Sequence, residues 1–188
     1  EGFREIVFLG QTVNAYRHEG VDFAELLRRA NRVQGIARIR FTSPHPSDMT
    51  DRAIEAIASC EKVAPHVHLP LQSGSNAVLA RMRRIYTMEE YEALVAKLRT
   101  AIPGVALSTD IIVGFPGETE ADFEETRAAM ERVGYESAFL FKYSPRAGAR
   151  SAAWPETVGE DEKTRRITSL IEQQKRIAKT LRDAASMR

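Results

Sequence analysis

Residues 106–118 read Ala-Leu-Ser-Thr-Asp-Ile-Ile-Val-Gly-Phe-Pro-Gly-Glu and are the most informative stretch of the sequence. The apolar run stops at a Gly/Pro turn, and Thr119 followed by Asp122 is typical of the cap that begins a helix. Gly114 and Gly117 allow the backbone to come close to a ligand, and Pro116 stiffens the turn. A buried strand, a tight turn and a helix in this order predict an α/β fold with a ligand site near the turn.

The same strand-and-helix unit repeats along the chain. Apolar runs predict five strands, at residues 5–9, 37–41, 67–71, 106–113 and 137–142. Apolar side chains at helical spacing predict helices around Phe23, Leu26, Leu27, Ala30 and Val33; around Ile54, Ile57 and Ala58; around Tyr91, Leu94, Val95 and Leu98, behind a Thr87/Glu90 capping box; and around Phe123, Thr126, Met130 and Val133. Because crossovers between such strands are right-handed, we expect a parallel sheet.

A loop with two prolines follows Lys142 and leads into a last helix. Its periodic positions are Ile167, Leu170, Ile171, Gln174, Ile177 and Leu181. We expect the charges of this helix to form a solvated face, while a coiled-coil arm stays open as an alternative.

The composition is that of a globular chain: 188 residues, of which 43% are hydrophobic and 28% charged, enough for one core. A net charge of +1 gives no overall case for or against nucleic acid. The single cysteine, Cys60, cannot form an internal disulfide, and we interpret it as a small packing residue in a helix. With no signal peptide or long apolar span, we expect a cytoplasmic protein without membrane contact. Because the chain opens on Glu1, we expect a fragment.

Amides and hydroxyls follow the predicted strands, at the edge where parallel α/β folds bind ligands. Gln11, Asn14, Ser43, Gln72 and Ser75 would suit a polar ligand such as a nucleoside or an amino acid. Amides and hydroxyls are poorly suited to hydrolysis by general acid-base catalysis.

Five short sequence motifs resemble those of a known family. They are Gly-Gln-Thr-Val-Asn-Ala-Tyr from residue 10, Phe-Thr-Ser-Pro-His-Pro-Ser-Asp from 41, His-Leu-Pro-Leu-Gln-Ser-Gly-Ser from 68, Ser-Thr-Asp-Ile-Ile-Val-Gly-Phe-Pro-Gly-Glu-Thr from 108 and Phe-Lys-Tyr-Ser-Pro-Arg from 141. Their order and spacing closely resemble the methylthiotransferase branch of radical S-adenosylmethionine enzymes, in particular its tRNA-modifying MiaB family. The first two motifs favour the tRNA enzymes over the relatives that modify a ribosomal protein.

The resemblance implies a partial (β/α)6 TIM-like barrel, of which this chain holds strands two to six. It implies a radical SAM core over residues 1–158 and, over 159–188, a helix that leads towards a TRAM RNA-binding domain. The implied activity adds a methylthio group to C2 of isopentenyladenosine beside the anticodon of tRNA, with S-adenosylmethionine and two 4Fe-4S clusters as cofactors. The family's three-cysteine cluster loop is absent from this sequence. We therefore expect a fragment without cluster ligands or catalytic residues, inactive by itself, and a monomeric whole protein.

The resemblance also assigns cofactor-binding roles. Arg84 resembles the arginine directed at the cosubstrate carboxylate, for which a guanidinium has the matching shape and charge; Arg83 competes for this role and is expected to face solvent. Asp110 and Ser43 resemble the groups that hold the ribose or amino group, although Asp110 could instead be a structural carboxylate. The remaining residues assigned to the site are Gly10 and Gln11, which replace a Gly-Gly-Glu motif of other branches, with Asn14, Gln72, Gly114, and Phe115 and Tyr143, which could flank adenine.

Alternatives come from other classes of function. In an aldolase-like barrel, Lys142 would form a Schiff base with a carbonyl substrate. A module that only binds nucleotides would use the glycine turns. His66 and His68, on one strand face, could form a metal site with His45, but they lack a carboxylate or cysteine partner at the close spacing typical of metal ligands, so polar histidines with ordinary partners are the default. Arg146 and Arg150 could contact tRNA phosphates or simply be exposed.

Overall fold

The structure is a computed structural model that describes residues 2–186. The chain divides into two compact units. The first comprises the chain up to Pro70 together with Glu89–Ser108, and the second comprises Leu71–Met88 together with the chain from Thr109 onwards.

In the first unit, strand β1 (Glu5–Phe8) pairs in parallel with β4 (Arg38–Phe41). Ile39 of β4 also forms a parallel bridge with Val63. Helix α1 (Phe23–Asn31) packs against α2 (Asp51–Ser59) and buries the predicted Phe23, Leu27 and Ala30. Val33, predicted to belong to the apolar face of α1, lies beyond the helix end and is exposed, because the helix ends at Asn31. Ala58 of α2 is likewise exposed, while Ile54 and Ile57 are buried.

A short antiparallel hairpin precedes α1 and was not predicted. Strands β2 (Arg17–His18) and β3 (Val21–Asp22) are joined by Glu19 and Gly20, both with positive φ, as tight hairpin turns require. Asp22 then caps α1 by accepting a hydrogen bond from the Glu25 amide at 2.8 Å. That hydrogen bond helps to hold the pKa of Asp22 below its usual value.

The rest of the first unit is built on β5 (His66–His68), which pairs in parallel with Ala106–Ser108 at the start of β6 (Ala106–Val113). Helix α4 (Met88–Ala101) supplies Tyr91, whose hydroxyl donates to the Leu69 carbonyl at 2.7 Å. The strand predicted at 67–71 is thus shorter and begins one residue earlier, and Cys60 lies buried just after the end of α2.

The second unit holds the remainder of β6, β7 (Ser137–Lys142), α3 (Asn76–Arg81), α5 (Glu120–Val133) and α6 (Glu160–Ser186). Gln72 forms a parallel bridge with Ile111, and the Tyr143 amide donates to the Val113 carbonyl at 2.8 Å. The predicted cap of α5 is confirmed as a reciprocal capping box between Thr119 and Asp122. Both β6 and β7 have the predicted bounds.

Helix α6 packs against β7 and α5. It buries Leu170, Gln174 and Ile177 as predicted, but Ile171 is 40% exposed. Contrary to the expectation of a solvated charged face, Lys163 and Arg166 are buried at 1% and 4% exposure, because carboxylates of the same unit pair with both. Within residues 2–186, no helix combines the length and the hydropathy needed to span a membrane.

Candidate functional site

The strand ends of the second unit enclose a cavity of about 490 Å³, which we call the aromatic cavity. Four of the predicted site residues line it: Gln72, Asp110, Phe115 and Tyr143. Ile112, Phe141, Lys142, Ser144 and Arg146 complete most of its wall. The cavity lies within the range of about 300 to 1,000 Å³ that small-molecule sites occupy, and it combines apolar walls with a few polar groups.

Gln72 is held in a strained backbone conformation at the edge of this cavity. Its φ is +71°, in the left-handed region, which costs a non-glycine residue about 1 to 3 kcal/mol. The flanking ladder fixes it, since its amide donates to the Asp110 carbonyl at 2.8 Å and its carbonyl accepts from the Ile112 amide at 2.9 Å. The side chain is 7% exposed. Strain of this kind concentrates at functional sites.

Three aromatic rings form one wall of this region. Phe115 packs edge-on against Tyr143, with ring centroids 5.1 Å apart, and against Trp154, with centroids 6.0 Å apart. Phe115 and Tyr143 also share a buried apolar cluster with Val78. The Tyr143 hydroxyl is buried and has no hydrogen-bond partner within residues 2–186. Because an unpaired buried hydroxyl costs about 1 to 3 kcal/mol, it marks a place where a polar ligand group would be stabilised.

The two glycines of the decisive turn make room for side chains of the protein. At Gly114, with φ +74°, a Cβ atom would collide with the aliphatic stem of Lys163, and at Gly117, with φ +84°, it would collide with the guanidinium of Arg81. The sequence pattern predicts that these glycines admit a ligand. In the structure the place that a Cβ atom would take is filled by a side chain of α6 at Gly114 and of α3 at Gly117.

Buried charges hold the turn from Gly114 to Glu118. Glu118 Oε1 accepts from the Gly114 amide at 3.0 Å and from Arg166 Nη1 at 2.5 Å. Burial raises the pKa of the Glu118 carboxyl, and the Gly114 amide and the Arg166 guanidinium oppose that rise. Lys163 Nζ donates to Glu156 at 2.8 Å and to the Tyr143 carbonyl at 3.4 Å. Sequence reasoning missed Lys163 and Arg166. Their spacing was a signal, because residues 163, 166 and 170 follow one another at helical intervals and therefore share a helix face with the apolar Leu170.

A second cavity of about 340 Å³, which we call the arginine cavity, shares Ile112, Phe115 and Ser151 with the first. Arg81, Arg83, Arg84 and Arg150 line it, together with Met82 and Trp154. The predicted Arg84 therefore lies in this neighbouring cavity. Its Nε atom is buried without a hydrogen-bond partner in the part of the chain that the structure describes. Arg83, predicted to face solvent, is exposed and also belongs to the lining.

The other four predicted site residues belong to the first unit. Gly10 and Gln11 are exposed after β1. Asn14 is buried, and its amide both donates to the His45 carbonyl at 2.9 Å and accepts from the His45 amide at 2.8 Å. Ser43 follows β4 with φ +55°, a second strained position at a strand end. Asn14 thus holds the loop that contains Ser43 through both the donor and the acceptor of its side-chain amide.

Several other candidates have partners within the protein. Ser75 is buried and donates to Asp122 at 2.5 Å. His66 Nε2 and His68 Nδ1 each lie 3.0 Å from Ser108 Oγ. In the range 2–186, no group of three His, Cys, Asp or Glu residues has the arrangement of a metal site. Lys142 Nζ, the candidate for a Schiff base, donates hydrogen bonds to Glu160 at 3.3 Å and to Thr164 at 2.7 Å.

Residues 1–130 match the radical SAM superfamily, and the chain belongs to this family of enzymes. Burial raises the pKa of its only cysteine, Cys60, which makes this thiol an inert packing residue. The aromatic cavity therefore belongs to a chain of the radical SAM superfamily.

The chain is similar to two bacterial proteins named tRNA-2-methylthio-N(6)-dimethylallyladenosine synthase. It is 51% identical over 175 residues to the protein of Clostridium botulinum (strain Hall), covering 92% of this chain and 39% of the relative. It is 50% identical over 180 residues to the protein of Syntrophomonas wolfei, covering 94% of this chain and 40% of the relative. The chain thus spans about two fifths of their length, and the predicted family resemblance is confirmed.

Among solved structures, the fold is similar to that of coproporphyrinogen III oxidase from Escherichia coli, a radical SAM enzyme, with a TM-score of 0.72 at 16% identity. The match covers 93% of this chain and 40% of that one. This likeness, with the parallel strand pairs, confirms the predicted α/β fold class of a partial TIM-like barrel.

Proposed function

We propose that this chain is the part of a tRNA methylthiotransferase that holds S-adenosylmethionine while a methylthio group is added to C2 of isopentenyladenosine. The observation that carries the proposal is the aromatic cavity, where four residues assigned from the sequence lie together in a radical SAM domain. The names of relatives about half identical to the chain supply the reaction and the tRNA substrate.

The residues of the aromatic cavity fit an adenosyl group. Phe115 and Tyr143 offer aromatic surface to the adenine ring, and Phe141, 49% exposed, adds a further apolar side. The Asp110 carboxylate is half-buried in the wall, where ribose hydroxyls or the amino group would donate to it. The unpartnered Tyr143 hydroxyl and the side-chain amide of Gln72 would bind the remaining polar atoms of the ligand.

Arg84 supports the methionine end of the same ligand. It lies in the arginine cavity, which adjoins the aromatic cavity through Phe115 and Ile112. A guanidinium with a buried, unpartnered Nε is suited to a carboxylate, because the charge-assisted hydrogen bond would satisfy that nitrogen. Within the first unit, taken by itself, we propose cofactor-binding roles for Gly10, Gln11 and Ser43, and Asn14 holds the loop that contains Ser43. Gly114 would act by letting the Lys163 stem pack against the turn that leads into Phe115.

The iron-sulfur clusters cannot be held by this chain. It has one cysteine, which is buried, and we propose that the three-thiolate set of a radical SAM cluster is supplied by residues of the whole protein outside this chain. A cluster held by the whole protein would supply the electron for reductive cleavage of S-adenosylmethionine. The residues described above bind and orient the cosubstrate and exclude water from it. We propose two 4Fe-4S clusters in the whole protein, in keeping with the family resemblance.

The proposed partner is the anticodon stem-loop of tRNA, and the proposed whole protein is a cytoplasmic monomer. Mass spectrometry of tRNA nucleosides from cells that lack the protein tests the substrate: the methylthio nucleoside should disappear. If instead a ribosomal protein lost a methylthio group while tRNA stayed unchanged, the ribosomal-protein branch would replace this proposal.

Binding of the cosubstrate is tested by Arg84→Ala in the whole, cluster-loaded protein. We expect affinity for S-adenosylmethionine to fall by about 1.5 to 3 kcal/mol, the usual contribution of a hydrogen bond to a charged group. Arg182→Ala is the matched control, because Arg182 is exposed near the end of α6 and lines neither cavity. Unchanged affinity would remove Arg84 from the site.

A further inference from the structure

The arginine cavity carries more positive charge than the cosubstrate can use. Arg81, Arg83, Arg84 and Arg150 belong to its wall, and no carboxylate lies among the described lining residues. S-adenosylmethionine brings one carboxylate, but also an ammonium and a sulfonium, so it cannot neutralise four guanidinium groups. If Arg84 takes the carboxylate, three arginines remain beside a ligand that is itself positively charged.

The protein satisfies this charge only in small part. Arg81 Nη1 donates to the Pro116 carbonyl at 3.2 Å, which anchors that side chain to the turn. Asp122 lies near enough to feel Arg81, but its oxygens already accept from Ser75 and Thr119. Arg83 and Arg150 are exposed and form no ion pair with any residue that the structure describes. Clustered cations of this kind repel one another unless an anion comes between them.

Aromatic surface adjoins these cations. Trp154 is 38% exposed at the edge of the cavity, and Phe115 packs edge-on against its indole ring. Arginines that track a phosphate backbone beside an aromatic ring on which a base can stack are the combination that binds single-stranded nucleic acid. Arginine also suits phosphate because its planar fork matches two phosphate oxygens.

We propose that the arginine cavity binds the phosphodiester backbone of the RNA substrate through Arg83 and Arg150, with one base stacked on Trp154. This inference rests on the proposed function, which supplies an RNA as the substrate. It places an RNA-binding surface beside the adenosyl site, in the same unit and separated from it by Phe115. The aromatic cavity and Arg84 would then hold the cosubstrate, while Arg83, Arg150 and Trp154 hold the loop that presents the adenosine to it.

The test measures binding of an anticodon stem-loop RNA to the whole protein over a series of salt concentrations. Arg83→Gln/Arg150→Gln should weaken binding by about tenfold or more. The slope of log affinity against log salt should become shallower by about 0.7 to 0.9 for each phosphate that the variant no longer neutralises. Arg83→Lys/Arg150→Lys keeps both charges and should keep most of the slope. Trp154→Ala should weaken binding by about five- to a hundredfold without changing the slope.

Arg182→Gln is the matched control for an exposed arginine, and affinity for S-adenosylmethionine is measured on every variant. The double glutamine variant should bind the cosubstrate as the parent does. RNA affinity and salt slope equal to those of Arg182→Gln would overturn the proposal. So would a loss of cosubstrate affinity with RNA binding intact, because the arginines would then belong to the cosubstrate alone.

Two further measurements keep the result decisive. If the double variant does not fold, Arg150→Gln alone is tested, since Arg150 lies in an exposed 3-10 helix and its removal should change the slope by the amount of one phosphate. Methylthiolation of tRNA by the parent is assayed in parallel. If the parent modifies tRNA but the arginine variants bind RNA normally, only this inference fails; if the parent does not modify tRNA, the proposed function fails.

Discussion

The loops that follow the strands are held by different means in the two units. In the first unit, the neutral amide of Asn14 hydrogen-bonds both backbone groups of His45. In the second unit, the turn from Gly114 to Glu118 is held by charged residues of α6, through the buried pair of Glu118 and Arg166 and through Lys163. A polar residue after a strand can thus hold a loop through its own side chain, as Asn14 does, or together with a charged side chain of a distant helix, as Glu118 does.

The two units also differ in whether their buried polar atoms have partners. Asn14 has both of its hydrogen-bonding ends occupied, whereas Tyr143 and Arg84 in the second unit keep buried polar atoms without partners among the described residues. A protein tolerates such atoms at a place where a ligand satisfies them. The second unit therefore combines a firmly held turn with unsatisfied groups around it, as a preorganised binding site requires.

Breaking the charged support should have the largest effect. Arg166→Ala leaves the Glu118 carboxylate buried without its partner, and we expect the free energy of unfolding to fall by about 3 to 5 kcal/mol. Arg176→Ala is the control, because the pair of Arg176 with Glu131 at 3.6 Å is mostly exposed and should contribute about 0 to 1 kcal/mol. Chemical denaturation of both variants checks this. Equal losses would show that the buried pair does not hold the turn.

Filling the space beside Lys163 should have the next largest effect. Gly114→Ala places a Cβ against the Lys163 stem at a positive φ, and we expect a loss of about 2 to 4 kcal/mol. Gly148→Ala is matched in φ, at +85°, but a Cβ there would meet nothing within 4 Å. The difference between the two melting temperatures isolates the contact with Lys163. A Gly148 variant destabilised as strongly as the Gly114 variant would contradict the close approach of α6.

Removing the neutral support of the first unit should cost less. Asn14→Ala leaves the buried backbone groups of His45 without the side chain that pairs them, and we expect a loss of about 1 to 3 kcal/mol. Asn14→Asp is a useful comparison, because its carboxylate keeps the acceptor for the His45 amide but loses the donor. If denaturation curves of Asn14→Ala matched those of the parent, the amide would not be holding this loop.

The smallest expected effect depends on pH. Hydrogen bonds from Arg165 and Arg166 lower the pKa of Glu162 to about 2 in the folded protein, from an ordinary value of 4.5. A lowered folded pKa stabilises the protein above the unfolded pKa, and this stabilisation is lost as pH falls from about 5 towards 2. Glu162→Gln should therefore be less stable than the parent at pH 7, and the difference should shrink as pH falls. A difference that stays constant with pH would contradict the pairing.

Much of the fold could be predicted because its signals are local. All five predicted strands occur, and the Thr119/Asp122 cap and the buried face of α5 follow from spacing alone. The burial of Lys163 and Arg166 could not be predicted, because it depends on Glu118 and Glu156, which a helical pattern does not reveal. The hairpin of β2 and β3 was missed because two-residue strands have no apolar period.

Part of the site could be predicted because its residues follow predicted strands. Gln72, Asp110, Phe115 and Tyr143 come together because parallel strands bring their carboxyl ends to one edge. The packing of Lys163 against Gly114 and of Arg81 against Gly117 could not be predicted. A glycine indicates that some group comes close to the backbone, but the sequence does not say which group.

We propose that the aromatic cavity holds the adenosyl group. The most direct measurement is photo-crosslinking of the whole protein with an azidoadenosyl analogue of S-adenosylmethionine, followed by peptide mapping. We predict adducts on the peptides that contain Phe115 and Tyr143, suppressed by excess S-adenosylmethionine. Suppressible adducts confined to peptides that line no part of the aromatic cavity would contradict the claim.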